Sequence, residues 1–569
     1  MPALDRLSRS DLLLALVALL AGVLFFASLG RLWPLAEMDL QVPDRELQAA
    51  GRAFLLEAGL GVVEHDAESA LRVDAPVLDY VQRAFGRREA QRLISEGFPV
   101  YWYEVLLKRR GDPDGYWVRL HPGAAGRVVA WGRTVQEDAP APEIPEESAR
   151  RLAVEAVAAL GVRLSGGAGD AGWRERGFYD QLRPARRDRF FVFERLLSEE
   201  PELRERLVVT VSGDRVTSVD RLLVPPGDAR RAARARGAPV AALQAAGFAL
   251  AGVAVIAAFA VFLTRLRAGT ARLGPPARWA AVIGLCFVVT EVLRSHRLLA
   301  LWDPLWPRWV AAFQGLGAGI AAGAWVLLVL FVVIAAGDAL DRESAGGGHD
   351  RNGAGGRRGA SLWAAGRGRL ADPAVGRASL RGFLVGLLCG GVLAGSVLAL
   401  ERLAGAWTPI QPQGFFFFAI NSELPALATL LYFLMVALVE ELAYRFFAGT
   451  WLLAATGRRW LAVLAPAVLY GATHTGLPFL PPEEPFWGRA VVFTLVGCVW
   501  GWAFLRFDAL TVVLSHYTAD LFIFNWPRLG SGDPVQVAKA VATIAVPLVP
   551  ALLWWLRGRR RDGRVEAPG

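Results

Sequence analysis

The chain has 569 residues, 54% of them hydrophobic and 20% charged, with a mean hydropathy of +0.35. That is too apolar for one globular domain and too charged for membrane spans alone, so the chain must contain both. The formal net charge of +9 gathers in loops beside apolar runs, which membrane topology explains, and no nucleic-acid partner is expected.

A spanning helix needs about 20 mostly apolar residues. Ten candidate runs occur, at 12–30, 240–263, 278–295, 310–336, 381–400, 426–455, 460–475, 489–505, 509–525 and 539–556. The first follows Arg6 and Arg9 and is long for a signal-peptide core, so residues 1–31 are read as an uncleaved membrane anchor. Cys286, Cys389 and Cys498 all fall inside spans, which leaves the region between spans one and two without a disulfide.

That region, 32–238, is long enough for two small domains. A helical pattern over 44–61 is followed by alternating runs at Val100–Leu106, Tyr116–Leu120 and Gly126–Ala130. A second unit repeats the order, with a helix from Pro145 through Leu160 and strands at Arg189–Glu194, Leu207–Val211 and Arg215–Val219, the last two joined by a turn at Ser212-Gly213-Asp214. The predicted fold is a polytopic α-helical membrane protein of about ten spans with an α+β extracytoplasmic region between the first two. Helix followed by antiparallel strands, twice over, resembles the small PepSY-type domains.

Spans two to four, within 239–337, form an accessory bundle. Residues 338–380 are rich in glycine and arginine with little apolar periodicity, the composition of a disordered cytoplasmic linker. A membrane module follows over 381–557, with a basic tail over 558–569. Arginines at 265, 267, 272 and 278, in the 338–381 segment, at 458 and 459, and from 557 to 564 all fall on one side of a ten-span model. The positive-inside rule makes that side the cytoplasm, so both termini are expected there, in a bacterial-type plasma membrane.

Ionisable side chains cost about 2.5–3.5 kcal/mol each at the centre of an inserted helix, so those found there are functional candidates. They concentrate at Glu440-Glu441-Leu442-Ala443-Tyr444-Arg445, Tyr470-Gly471-Ala472-Thr473-His474 and His516-Tyr517-Thr518-Ala519-Asp520. Residues four apart share a helical face, whereas adjacent ones diverge by about 100°. Glu441 therefore stacks on Arg445, and Glu440 is directed elsewhere as the candidate base. His516 and Asp520 share a face, so the carboxyl is expected to fix the imidazole's tautomer, and His474 arrives from a third helix with Tyr470 one turn before it. Taken singly, a Glu–Arg pair serves as a packing clamp and a membrane histidine as hydrogen-bonding glue. Taken together and in this order, they point to one polar pocket.

The order Glu-Glu-x-x-x-Arg, aromatic-x-x-x-His, His-x-x-x-Asn/Asp resembles the signature of the CPBP intramembrane proteases, which include the CaaX prenyl-protein endopeptidases. The resemblance covers roughly 380–556. Tyr470 stands where the family often has Phe, and Asp520 where the prenyl endopeptidases have Asn. It implies an intramembrane endopeptidase acting on membrane-associated proteins or peptides. In it Glu440 and His474 activate a water, His516 and Asp520 stabilise the oxyanion, and Glu441 and Arg445 support them. A metal-free site and a divalent ion such as Zn²⁺ on Glu440, His474 and His516 are both compatible with these residues. The rival reading is a non-catalytic membrane scaffold, sensor or transporter-like protein whose polar residues hold the bundle together. The sequence specifies no oligomeric state.

Overall fold

The computed structural model describes residues 8–32, 44–96, 98–121, 127–162, 164, 172–294, 302–346, 357–409, 424–477, 480–530 and 533–565. Helix α1 (Arg9–Leu32) leads to a region of α2 (Asp44–Glu57), β1 (Asp66–Val73), α3 (Ala75–Phe85), α4 (Arg87–Ser95), β2 (Tyr101–Lys108), β3 (Gly115–Leu120) and β4 (Val128–Thr134). Then come α5 (Glu146–Ala159), β5 (Arg174–Leu182), β6 (Arg187–Ser198), β7 (Leu203–Ser212) and β8 (Arg215–Val224). The bundle continues through α6 (Ala229–Arg267), α7 (Gly274–Arg294), α8 (Arg308–Gly346), α9 (Ala360–Ala365), α10 (Pro373–Ala404) and α11 (Pro425–Glu441). A π-helical segment, Leu442–Gly449, passes into α12 (Thr450–Thr456), followed by α13 (Arg459–Thr473), α14 (Gly488–Arg506), α15 (Ala509–Leu529), α16 (Pro534–Ala545) and α17 (Val549–Val565).

Among the described residues, eight helical stretches are long and apolar enough to cross a membrane: α1, α6, α7, α8, α10, α11 continued to Thr456, α14, and α16 with α17. The chain is thus an integral membrane protein. The remaining two expected spans, 460–475 and 509–525, are helices but fall short, for different reasons. α13 has 15 residues and contains Pro466. In α15 the polar Ser515, His516, Thr518, Asp520 and Asn525 dilute the apolar run. α15 is buried along most of its length, with Val512 and Leu521 in the core, whereas α13 buries one face through Ala467 and Tyr470 and leaves Trp460, Leu464 and Val468 exposed on the other, so neighbouring helices shelter α15 fully and α13 on one side.

All eight strands form one antiparallel sheet in the order β1-β2-β3-β4-β8-β7-β6-β5. The two expected units are its two halves, joined where Trp131 and Gly132 of β4 pair with Val219 and Ser218 of β8. Alternation supplies one core face: Tyr101, Tyr103, Val105 and Leu107 of β2 are buried while the residues between them are less so. α2, α3 and α4 contribute Leu47, Leu78 and Ile94 to that core. The second half packs Phe191, Phe193, Leu207 and Val209 against Ala149, Ala153 and Val157 of α5.

Two histidines of this sheet region are buried. His65 faces Asp112 at 3.4 Å, and His121 Nε2 donates to the Ile94 carbonyl at 2.5 Å. Burial pushes both imidazoles below their ordinary value of 6.5, outweighing the opposing pull of Asp112 on His65 and of the Ile94 carbonyl on His121. Below pH 6.5 the unfolded chain therefore binds more protons than the folded one. Stability is full at neutral pH and is lost as pH falls from 6.5 through the lower folded values. Hydrogen exchange on the full chain, corrected for intrinsic rates, is expected to show β1–β4 opening more readily at pH 5.5 than at pH 7.5. Protection that is identical at both would contradict this account.

The sheet region is fastened to the bundle by ion pairs and a backbone hydrogen bond. Arg83 pairs with Glu484 at 2.8 Å, Arg230 with Asp74 at 3.1 Å, and Arg236 with Asp79. The Gly111 N–H donates to the Pro304 carbonyl at 3.0 Å.

The expectation of disorder over 338–380 does not hold for the described part of that segment. Asp338 is fully buried and accepts from Arg342 at 3.1 Å and Arg357 at 2.7 Å. Asp341 accepts the N–H groups of Arg358 and Gly359, each at 3.0 Å. Trp363 of α9 then packs edge-on against Phe446, with centroids 5.8 Å apart. Composition averages over the segment and misses this: two carboxylates at one end meet arginines and free N–H groups at the other. Residues 347–356 lie outside the described residues.

Candidate active site

α11 ends on the two adjacent glutamates, and the helical rod changes to π geometry immediately after them. Single π turns of this kind recur at functional sites because they re-aim side chains without breaking the helix. Here Glu441 points into the bundle. Its Oε1 accepts from Arg445 Nη1 at 3.0 Å and from His516 Nδ1 at 2.8 Å. Arg445 Nη2 also donates to the Gly497 carbonyl at 3.3 Å. Its guanidinium lies 4.7 Å from the Tyr470 ring and 5.2 Å from that of Trp500. A Cβ at position 497 would come within 3.0 Å of Arg445 Nη2 and of Ala467, so glycine is needed for this approach.

Glu440, one residue earlier, turns into a cavity of about 460 Å³ that is lined mostly by apolar side chains. Its Oε2 is buried and makes no hydrogen bond. That oxygen lies 3.5 Å from His474 Nε2 and 3.8 Å from His516 Nε2. These separations exceed a direct hydrogen bond.

His474 sits just past the end of α13, where its Nδ1 donates to the Tyr470 carbonyl at 2.8 Å. A carbonyl only accepts, so the proton on Nδ1 is fixed and Nε2 is the atom offered to Glu440. The ring is held between Tyr470, 4.0 Å away, and Phe493, stacked at 5.5 Å. His516 on α15 stacks on Trp500 at 4.3 Å, and Trp500 Nε1 is itself anchored on Ser515 Oγ at 2.9 Å.

The expected residues Glu440, His474, His516 and Asp520 all line this one cavity, and Glu441 and Arg445 are buried directly behind it. The division of labour differs from the expectation in one respect. Asp520 does share a face with His516, but its Oδ2 lies 3.5 Å from Nε2, the nitrogen that also faces Glu440. Glu441, at the end of α11, takes the Nδ1 position instead, at 2.8 Å. The carboxylate read as a self-contained clamp therefore also sets the orientation of His516.

Sequence reasoning passed over two further residues. Tyr444, inside the π segment, lines the cavity, and its hydroxyl lies 2.9 Å from Thr473 Oγ1. Arg489 is buried and holds the turn after His474 by donating to the carbonyls of Leu480, at 2.6 Å, and Thr475. An arginine at the start of an otherwise apolar run was the available signal for it. Among the described residues, no group of three or more His, Cys, Asp or Glu side chains is arranged to hold a metal ion. The set Glu440, His474 and His516 thus carries no metal step in the chemistry below.

Residues 422–522 match the family model of the Rce1-like type II CAAX prenyl endopeptidases. No curated protein and no solved structure matches the chain significantly. The matched stretch runs from just before α11 into α15 and includes every motif residue from Glu440 to Asp520. The buried Glu–His–His constellation lies inside that stretch, so the part of the chain that is similar to the Rce1-like type II CAAX prenyl endopeptidases is the part that builds the cavity, consistent with the CPBP family of intramembrane proteases.

Proposed function

We propose that this protein hydrolyses peptide bonds of membrane-associated proteins or peptides, with a water activated by Glu440 and His474. The observation that carries the reading is the unpartnered Glu440 Oε2, buried in the cavity and faced by the Nε2 atoms of two histidines whose other nitrogens are already committed. A buried carboxylate oxygen left without a hydrogen bond costs stability, which is consistent with a group kept for reaction.

A water about 2.8 Å from Glu440 Oε2 would be within reach of both imidazoles. Glu440 takes its proton, the hydroxide attacks the substrate carbonyl, and the proton passes by way of the Glu440–His474 pair to the leaving amine. His516, protonated on both nitrogens with its Nδ1–H on Glu441, presents Nε2–H to the developing oxyanion, and Asp520 beside it acts as the neutral acid. No covalent enzyme intermediate is needed. Asp520→Asn supplies the residue type of the prenyl endopeptidases and is expected to keep cleavage within about tenfold of wild type, whereas Asp520→Ala loses about 10²-fold. Equal inactivity of both variants would instead assign the reaction to an ionised carboxylate at 520.

The orientation is part of the same proposal. Arg265 at the end of α6 pairs with Glu343 near the end of α8 at 2.7 Å, which supports one shared basic, cytoplasmic side. Glu484 pairs with Arg83 of the sheet region, which supports the opposite side for both.

The test is incubation of detergent-purified full-length protein with membrane-anchored reporter peptides, with products identified by mass spectrometry. Hydrolytic fragments that sum to the reporter plus one water are expected. No cleavage across a broad panel would favour the scaffold reading.

A further inference from the structure

Two residues of the catalytic cavity come from α6, far outside the stretch that matches the family model: Gln244 and Phe248. α6 meets the end of α13 backbone to backbone. A Cβ on Gly247 would come within 2.9 Å of the Thr473 N and 3.0 Å of Ala472, so the close crossing depends on glycine there. Gln244 Nε2 donates to the Thr473 carbonyl at 3.2 Å, directly before His474. One turn further along, Phe248 lines the cavity and yet is 58% exposed. Leu250, Val253 and Ile256 beyond it are exposed apolar residues of a membrane-length helix, the pattern of a lipid-facing surface. The Phe248 ring therefore stands on the boundary between the catalytic cavity and the bilayer. The opposite wall is a stripe on α11, where Tyr432, Val436 and Glu440 fall at helical spacing and all border the cavity.

We propose that the cavity opens sideways to the bilayer beside Phe248, and that Phe248 is a specificity-determining residue that governs which apolar, membrane-inserted peptide segment reaches Glu440. The specificity part rests on the peptidase reading; the opening does not. Phe248 fills the entrance, so its size sets the bulk of the side chain admitted. Gln244 positions the turn that carries His474 and is a positioning residue through that turn.

The opening is tested without any cleavage. The chain has three cysteines, Cys286, Cys389 and Cys498, and Cys389 lines the cavity. In a Cys286→Ser, Cys498→Ser background reconstituted in nanodiscs, methyl methanethiosulfonate is expected to modify Cys389 several-fold faster with Phe248→Ala and more slowly with Phe248→Trp. In parallel, Phe248→Ala is expected to shift the ratio of kcat/KM for reporters with a bulky rather than a small residue near the cleaved bond by about tenfold. Labelling rates that ignore both substitutions overturn the opening, whether or not reporters are cleaved. Labelling that responds while the selectivity ratio stays fixed overturns the specificity role. Labelling that responds in a protein that cuts nothing supports the opening and removes the peptidase reading.

Discussion

Glu441→Ala is expected to destabilise the protein by about 3–5 kcal/mol, the cost of removing one partner from a buried ion pair, and to abolish cleavage as well. Two groups lose their partner together. Arg445, 2% exposed, keeps the Gly497 carbonyl and the Tyr470 and Trp500 rings but loses its carboxylate, and the His516 Nδ1–H loses its acceptor. Both are buried too deeply for water to replace the carboxylate cheaply. Glu441→Gln still offers a carbonyl oxygen to both donors but removes the charge, and is expected to melt between wild type and Glu441→Ala. Thermal unfolding in detergent reads this order directly, and equal melting of all three proteins would contradict the role given to Glu441.

Glu440→Gln is expected to do the opposite: lower the cleavage rate by about 10²–10⁴-fold, the usual worth of a general base, while melting like wild type. The side chain is nearly isosteric, and the oxygen it alters makes no hydrogen bond in the fold. Neighbouring residues on one helix thus separate chemistry from stability, because one faces the cavity and the other the packed interior.

The contrast shows what the sequence could and could not convey. Four-residue spacing was enough to pair Glu441 with Arg445 and to send Glu440 elsewhere, and the geometry agrees on both counts. It could not convey the hydrogen bond from His516 to Glu441, which joins residues 75 positions apart and depends on how α11 and α15 pack. The π turn at Leu442–Gly449 was equally hidden, since no proline or glycine pair marks its start. In the sheet region, β2, β3, β4, β6, β7 and β8 were legible from alternation. β1 and β5 were not: no strand is expected over Asp66–Val73, and every residue of Arg174–Leu182 is exposed, so no apolar face is needed there. The sheltered helices α13 and α15, short or polar by composition, carry His474, His516 and Asp520 at or near the places the motifs indicated. Gln244 and Phe248 lay beyond any motif; tertiary packing alone brings α6 to the cavity.

The central claim is that Glu440, together with His474, activates a water for peptide hydrolysis. The most direct measurement is cleavage of one membrane-anchored reporter by purified wild type, Glu440→Gln and His474→Ala, each with and without a chelator. The account predicts cleavage by wild type in both conditions, and loss in both variants while they elute and melt as folded protein. Wild-type activity retained by Glu440→Gln, or abolished by the chelator and restored by added metal, would contradict it.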